Sequence, residues 1–340
     1  MDIFCEIRGR AGRITLNRPQ ALNALSYEMC LAIEKALDDW REDEAVQIVV
    51  IDAAGDKAFC AGGDIQEMYD TGTSGNYDYG RQFWADEYRM NAKIAEYPNP
   101  IVAFLQGFVM GGGVGVGGHA SHRIVCETSQ VAMPETGIGL VPDVGGTLLL
   151  ARAPGMIGEY LGLTAARMDA GDAIHAGFAD HYVPREYWLD LVVELEETGD
   201  VGVIEKVASP PPASKLAEHQ PVIDACFAGG LSGIVGALEA DGSDIAQSAL
   251  KSIRRNSPLA MAVTLVNIGR ARAADDIRAV LGCEYEYTYR SMEHGDFLEG
   301  IRAAIVDKDR NPQWKYSLDT LPDAAVEQMT APLGVDALKL

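Results

Sequence analysis

Residues 46–53, VQIVVIDA, form an almost unbroken apolar run of strand length. A strand can be apolar along both edges of its pleat only where both faces of its sheet are covered, as in a parallel sheet with layers packed on each side. Two more runs of this kind lie at 101–105 and 122–126. Residues 12–17 (GRITLN) are a shorter β-rich run closed by Arg18-Pro19. Between these runs the period changes. Met29, Ile33, Leu37 and Trp40 fall on one helical face behind Ser26, a residue type that caps helix N-termini. Residues 81–95 also read as helical. This alternation predicts an α/β layered fold.

The pattern breaks at Ser209-Pro210-Pro211-Pro212. Beyond it the spacing predicts helices over 213–227, 233–240, 243–256 and 258–274, and the one stretch with strand character is 302–306. The expected organisation is therefore an α/β core over 1–207 and a helical C-terminal region over 208–340.

Hydrophobic residues make up 48% of the 340 and charged residues 23%, enough for a sizeable packed core. The net charge is −22 with a pI near 4.6, and no Lys/Arg run is present, which argues against a nucleic-acid-binding surface. A small anionic ligand needs only a local positive site and stays allowed. The six cysteines (Cys5, Cys30, Cys60, Cys126, Cys226, Cys283) form no CxxC pair and read as reduced thiols. The first residues, MDIFCEIRGR, carry charges where a signal peptide has an apolar block. No run approaches the roughly 18 apolar residues of a membrane span. A soluble cytoplasmic protein is expected.

Three segments are candidates for chemistry. The first is residues 59–65, FCAGGDI, at a strand end before a polar helix. Its adjacent glycines permit a tight turn and leave N–H groups unshielded, which suits an anion. A turn with no ligand fits equally well. The second is residues 110–118, MGGGVGVGG. Within it, 113–118 matches the dinucleotide pattern GxGxxG, but the next strand comes near His122 and the acid Glu127 follows too soon for that fold. A helix N-terminus with bare N–H groups aimed at a ligand oxygen is the better reading. The third is residues 133–146, MPETGIGLVPDVGG, with Glu135 and Asp143 eight positions apart among apolar and turn-forming residues. Turns there can bring both acids to one cavity, and burial would raise a carboxyl pKa toward neutrality. His119 and His122 lack further metal ligands nearby, no GxSxG elbow is present, and Cys60 has no identifiable base and reads as packing. The acidic run 194–197 reads as a solvated helix face.

The order strand, AFCAGGDI, strand, MGGGVG, strand, MPETGIGL, PDVGG resembles the crotonase superfamily. Residues 14–25 (ITLNRPQALNAL) are similar to that family's opening strand and CoA-contacting loop, and 296–314 (DFLEGIRAAIVDKDRNPQW) resemble the C-terminal signature of its 3-hydroxyisobutyryl-CoA hydrolase branch. The resemblance implies a spiral of ββα units with a helical C-terminal region. It also implies an acyl-CoA substrate gripped at the thioester oxygen by the Gly63 and Gly112 N–H groups, with Ala24, Ala61, Asp64 and Glu87 binding substrate. Where the family's hydratases carry a second glutamate, this chain has Gly115, and Asp143 in PDVGG is offered instead. The implied activity is hydrolysis of a short 3-hydroxyacyl-CoA, as in valine degradation, with Glu135 and Asp143 catalytic. Glu87 would meet the acyl hydroxyl, with Asp86 beside it as the competing assignment. No metal or redox cofactor is expected, since CoA belongs to the substrate. Relatives of this kind assemble as trimers or trimer pairs. The alternatives are an enoyl-CoA hydratase or isomerase using Glu135 alone, and a non-catalytic acyl-CoA binder.

Overall fold

A computed structural model describes all 340 residues. Nine strands are present: β1 (Ile3–Arg8), β2 (Ala11–Leu16), β3 (Ile48–Ala53), β4 (Ala58–Cys60), β5 (Ile101–Phe104), β6 (Phe108–Met110), β7 (His122–Val125), β8 (Gln130–Ala132) and β9 (His181–Tyr182). The chain divides into two compact units. One comprises Met1–Asp64, Arg89–Ala132 and Arg167–Lys215; the other comprises Ile65–Tyr88, Met133–Ala166 and Leu216–Leu340.

The first unit holds all nine strands. Six form a sheet in the order β1-β2-β3-β5-β7-β9, parallel except for the β1–β2 hairpin. The other three form a small parallel sheet, β4-β6-β8. The pairs β3/β4, β5/β6 and β7/β8 each place one strand in the large sheet and the next in the small one. This is the repeating ββα spiral expected from the sequence. Three adjacent parallel strands end at one edge, so the segments that leave β4 and β6 emerge side by side.

The apolar runs behave as their composition requires. Val49, Val50, Ile51, Val102 and Ala103 are fully buried. On one side Phe104, Ile124 and Val183 meet Trp188, Leu191 and Leu195 of helix Trp188–Thr198. The Trp188 ring lies edge-on to Phe104 at 5.0 Å, and its indole N–H donates to the Val183 carbonyl at 2.9 Å. Helix Tyr27–Trp40 starts at Ser26, whose hydroxyl accepts from Met29 N, and buries Met29, Ile33, Leu37 and Trp40 as its period predicts. The run 194–197 lies on helix Trp188–Thr198, with Glu194 paired to Lys206 and Glu196 to Arg13.

The second unit is built around helix Pro258–Ala274. It packs against Gly146–Arg152, Ile157–Thr164, Leu231–Asp241, Ile277–His294 and Asp323–Met329. Its central place follows from a sequence apolar on all sides: Leu259, Met261, Val263 and Ile268 are all buried. Ser257 caps it and Pro258 occupies the first turn, where a missing N–H costs nothing. Residues 302–306 are not a strand. They form a π-helical turn directly after helix Phe297–Ile301. The Arg302 guanidinium gathers Glu299, Asp307 and Asp309 at 2.8, 2.6 and 2.7 Å across this turn. No helix is long and apolar enough to cross a membrane.

Trp188 is 1% exposed, so Trp188→Ala leaves a void beneath the large sheet. Chemical denaturation should show a loss of about 3–5 kcal/mol; a loss under about 1 kcal/mol would mean the site collapses freely.

Candidate active site

In the first unit the two glycine segments abut. A Cβ added at Gly113 would stand 2.3 Å from the Cys60 carbonyl oxygen, so only glycine allows helix Gly112–Gly117 to lie this close to the end of β4. The loop after β4 is tied back through Leu25 N to Gly62 O at 2.9 Å, Asp64 N to Leu25 O at 2.8 Å and Ala61 N to Leu22 O at 3.1 Å. These bonds leave the Gly63 N–H undonated. Gly112 opens its helix, so its N–H has no intrahelical acceptor. Ala24, Ala61 and Asp64 come together in the same loop group. Arg18, which the sequence reading did not single out, joins them: it donates to the Ala24 carbonyl at 2.8 Å and to Asp64 at 3.0 Å. Cys60 is buried, with its Sγ 3.5 Å from the Gly62 carbonyl. His122 stacks on His181 at 6.1 Å and holds no metal cluster.

In the second unit four carboxyl groups are buried together: Glu87, Glu135, Asp143 and Glu284. Glu135 opens a 3-10 turn, Glu135–Ile138, just after Met133-Pro134. That turn is wedged in place from the far end of the chain. Gly139 has φ +73° and lies so close to Asp296 that a Cβ would stand 2.6 Å from its backbone carbonyl. A Cβ on Gly300 would stand 2.0 Å from the Ile138 carbonyl oxygen. The Tyr287 hydroxyl donates to Gly139 O at 2.9 Å, and Ser257 N donates to Thr136 O at 3.0 Å. The 296–314 segment thus buttresses the loop that carries Glu135.

Asp143 sits on a second constrained turn. Val144 has φ +53° and Gly145 φ +78°. A β-branched residue in the left-handed region carries strain of about 1–3 kcal/mol. The Tyr88 hydroxyl donates to Asp143 Oδ2 at 2.8 Å and lies 3.4 Å from Thr288 Oγ1. Glu284 Oε2 accepts from Gly145 N at 2.7 Å. Its Oε1 accepts from Thr147 N at 3.0 Å and from the Thr147 hydroxyl.

The electrostatics follow from burial without cations. Glu135 is held well above the usual carboxylate range by desolvation, then by the charge of Asp143, with Glu284 and Glu87 adding to it. One of its oxygens, Oε2, is buried without a hydrogen-bond partner. Burial raises Asp143 from 3.8 to about 7, although the Tyr88 hydroxyl favours its ionised form. Burial also raises Glu284 to about 8 against the pull of its three donors. Glu87 rises through burial and then through Asp143, and its Oε1 has no partner. Asp86, also buried, is engaged by the Gln82 amide at 2.9 Å. Glu87 shares the field of Asp143. The charge of Asp143 bears on Glu135, so the two carboxyls titrate as a pair.

Tyr88 and Glu284 were not found from the sequence. Glu284 had a signal: it falls in step with Ile277, Val280, Leu281, Thr288 and Ser291 on the buried stripe of helix Ile277–His294. A carboxylate at such a position needs partners.

The sequence profile described as Enoyl-CoA hydratase/isomerase matches residues 11–330. The chain belongs to this family, the crotonase family. It is 36% identical over 352 residues to the mitochondrial 3-hydroxyisobutyryl-CoA hydrolase of Gallus gallus, covering 100% of this chain and 91% of that one. The Rattus norvegicus protein of the same name is 39% identical, with 99% and 91% covered. Among solved structures, one titled an enoyl-CoA hydratase from Rhodobacter sphaeroides superposes with a TM-score of 0.96 at 52% identity over 100% of both chains. One titled a carnitinyl-CoA dehydratase from Mycobacterium thermoresistibile gives 0.94 at 40% identity, with 98% and 97% covered.

The raised Asp143 fixes the sign of a pH effect. Its folded pKa lies above the unfolded one, so its stabilising contribution is whole below pH 3.8 and is lost as pH rises through about 7. Across that window Asp143→Asn should remove roughly 2–4 kcal/mol of the wild-type decline in unfolding free energy. Denaturation curves at pH 4, 5, 6 and 7.5 check this; parallel slopes for the two proteins would mean Asp143 ionises normally.

Proposed function

We propose that the protein hydrolyses a short 3-hydroxyacyl-CoA thioester, with 3-hydroxyisobutyryl-CoA as the substrate that its relatives' names favour. The observation that carries this reading is the buried Glu135–Asp143 pair. Hydrolysis needs a base or nucleophile at the carbonyl carbon and a proton for the departing thiolate. A coupled pair with one proton near neutrality offers both.

In the proposed reaction, the developing oxyanion is assigned to the Gly63 and Gly112 amides, and losing one such donor costs about 100- to 1000-fold in turnover. Glu135, once ionised, either removes a proton from water or attacks the carbonyl itself to give a mixed anhydride. The new C–O bond forms and the C–S bond breaks with its electron pair on sulfur. Asp143 positions water or gives a proton to the thiolate, and in the anhydride route water then cleaves the anhydride to the free acid and restores the Glu135 carboxylate. Glu87, with a free buried oxygen, is assigned to the 3-hydroxyl of the acyl group. Ala24, Ala61 and Asp64 are assigned to the CoA portion. No metal or redox group enters this scheme. The finer details of a valine-degradation role and a cytoplasmic location belong to the same proposal.

The Rhodobacter sphaeroides structure, titled a hydratase, favours a second reading: water addition to an enoyl-CoA using Glu135 alone. Against it stands Gly115, buried where the family's hydratases carry their second glutamate.

Free-thiol release from 3-hydroxyisobutyryl-CoA decides between them. The wild type should release thiol, and Glu135→Gln should lower kcat by about 100-fold or more. Faster loss of the enoyl absorbance of crotonyl-CoA than of thioester would favour the hydratase. Tight binding without turnover of either ester would favour a binder.

A further inference from the structure

We infer that Glu284 is the positioning residue for Asp143: its carboxyl group, reaching in from helix Ile277–His294, locks the Asp143–Thr147 turn in the shape that points Asp143 at Tyr88 and the acid group. The kinetic part of this inference rests on the hydrolase reading above; the structural part does not.

Val144 and Gly145 are both in the left-handed region, and Val144 is a β-branched residue that does not stay there unaided. Gly145 stands at the cap position of helix Gly146–Arg152 but has no side chain to accept the first N–H groups. Glu284 does this from 139 residues away, taking Gly145 N, Thr147 N and the Thr147 hydroxyl on its two oxygens. It is 0% exposed and fully buried, as are Thr147 and Thr288, so water cannot take over. A buried acid with three donors converging on it is an arrangement selected by the turn rather than by solvent. Asp143 is then fixed from two sides: its backbone through this turn, with Gly146 N donating to Asp143 O at 2.6 Å, and its side chain through Tyr88. Glu284 also acts through space once it ionises, near pH 8, when its charge adds to the field that holds the proton on Glu135.

A glutamine at this position offers one acceptor oxygen and turns an amide N–H toward at least one donor. In full-length protein that remains folded by near-ultraviolet circular dichroism, Glu284→Gln should lower kcat about 10- to 100-fold, as expected of a displacement near 1 Å. KM should change by less than about threefold, because the loss falls on the reacting complex. Near and above pH 8, where Glu284 ionises, the acid limb of the kcat profile should move to lower pH, because a negative neighbour has gone. Thr147→Val keeps the Glu284 charge and removes one donor. It should lower kcat less and leave the limb in place. A crystal structure of Glu284→Gln should show Val144 out of the left-handed region and the Tyr88–Asp143 bond broken.

An unmoved 143–147 turn in that crystal, or wild-type kcat with an unmoved acid limb, overturns the positioning role. A kcat loss with the same limb in both variants also overturns it, since that marks a purely structural part. Wild-type protein that releases no thiol overturns the hydrolase reading instead, and the crystal structure still decides the role of Glu284.

Discussion

Burying a carboxyl group without a cation is the constraint on which the rest of this structure depends. Glu87, Glu135, Asp143 and Glu284 are each buried to within 4% of full occlusion, and none forms an ion pair. Removing such a group from water penalises its charged form by several kcal/mol, so the group keeps its proton into the neutral range. Four of them in one unit cannot all ionise. The physical outcome is that ionising one of them raises its neighbours further, as Asp143 does to Glu135 and Glu87. That property makes the same residues costly for stability and useful for moving protons.

Such a site has to be held by backbone, because its side chains repel one another when charged. The two turns that carry Glu135 and Asp143 are each fixed from the C-terminal helices. Asp296, Gly300 and Tyr287 press on the Glu135 turn, and Glu284 grips the Asp143 turn. This explains why a segment near residue 300 bears a family signature although no side chain in it performs chemistry in the proposed reaction. The π-helical turn at Arg302–Val306 follows directly on Gly300, which lies against Ile138, and carries the Arg302 ion network.

Much of this was legible in the chain. The apolar runs became the buried strands β3, β5 and β7 because nothing but a covered parallel sheet accommodates them. Ser26 capped its helix, and helix Pro258–Ala274 has the predicted bounds. The glycine segments were readable as close approaches, and Gly113 against Cys60 is one. Other parts were not legible, for reasons of the same physics. Residues 302–306 (RAAIV) have strand composition, but no neighbouring strand is there to pair with them, and a local cation decides their shape. Tyr88 and Glu284 are ordinary helical residues by local pattern; only the tertiary fold shows that one donates to Asp143 and the other takes the amides of Gly145 and Thr147. Asp86 and Glu87 are both buried neighbours, and only the tertiary fold shows that Asp86 accepts from Gln82 while Glu87 lies in the field of Asp143.

The chemistry of this site depends on where its protons are. Difference infrared spectroscopy of the free protein, comparing the wild type with Glu135→Gln and Asp143→Asn over pH 5 to 9, reads the carbonyl stretch of protonated carboxylic acids directly. A protonated-acid band that persists above pH 7, loses one component in Glu135→Gln while the Glu87 and Glu284 components stay, and shifts its titration in Asp143→Asn is the predicted result, given the raised values of these groups. Spectra showing both carboxyl groups fully ionised at pH 6 would contradict it.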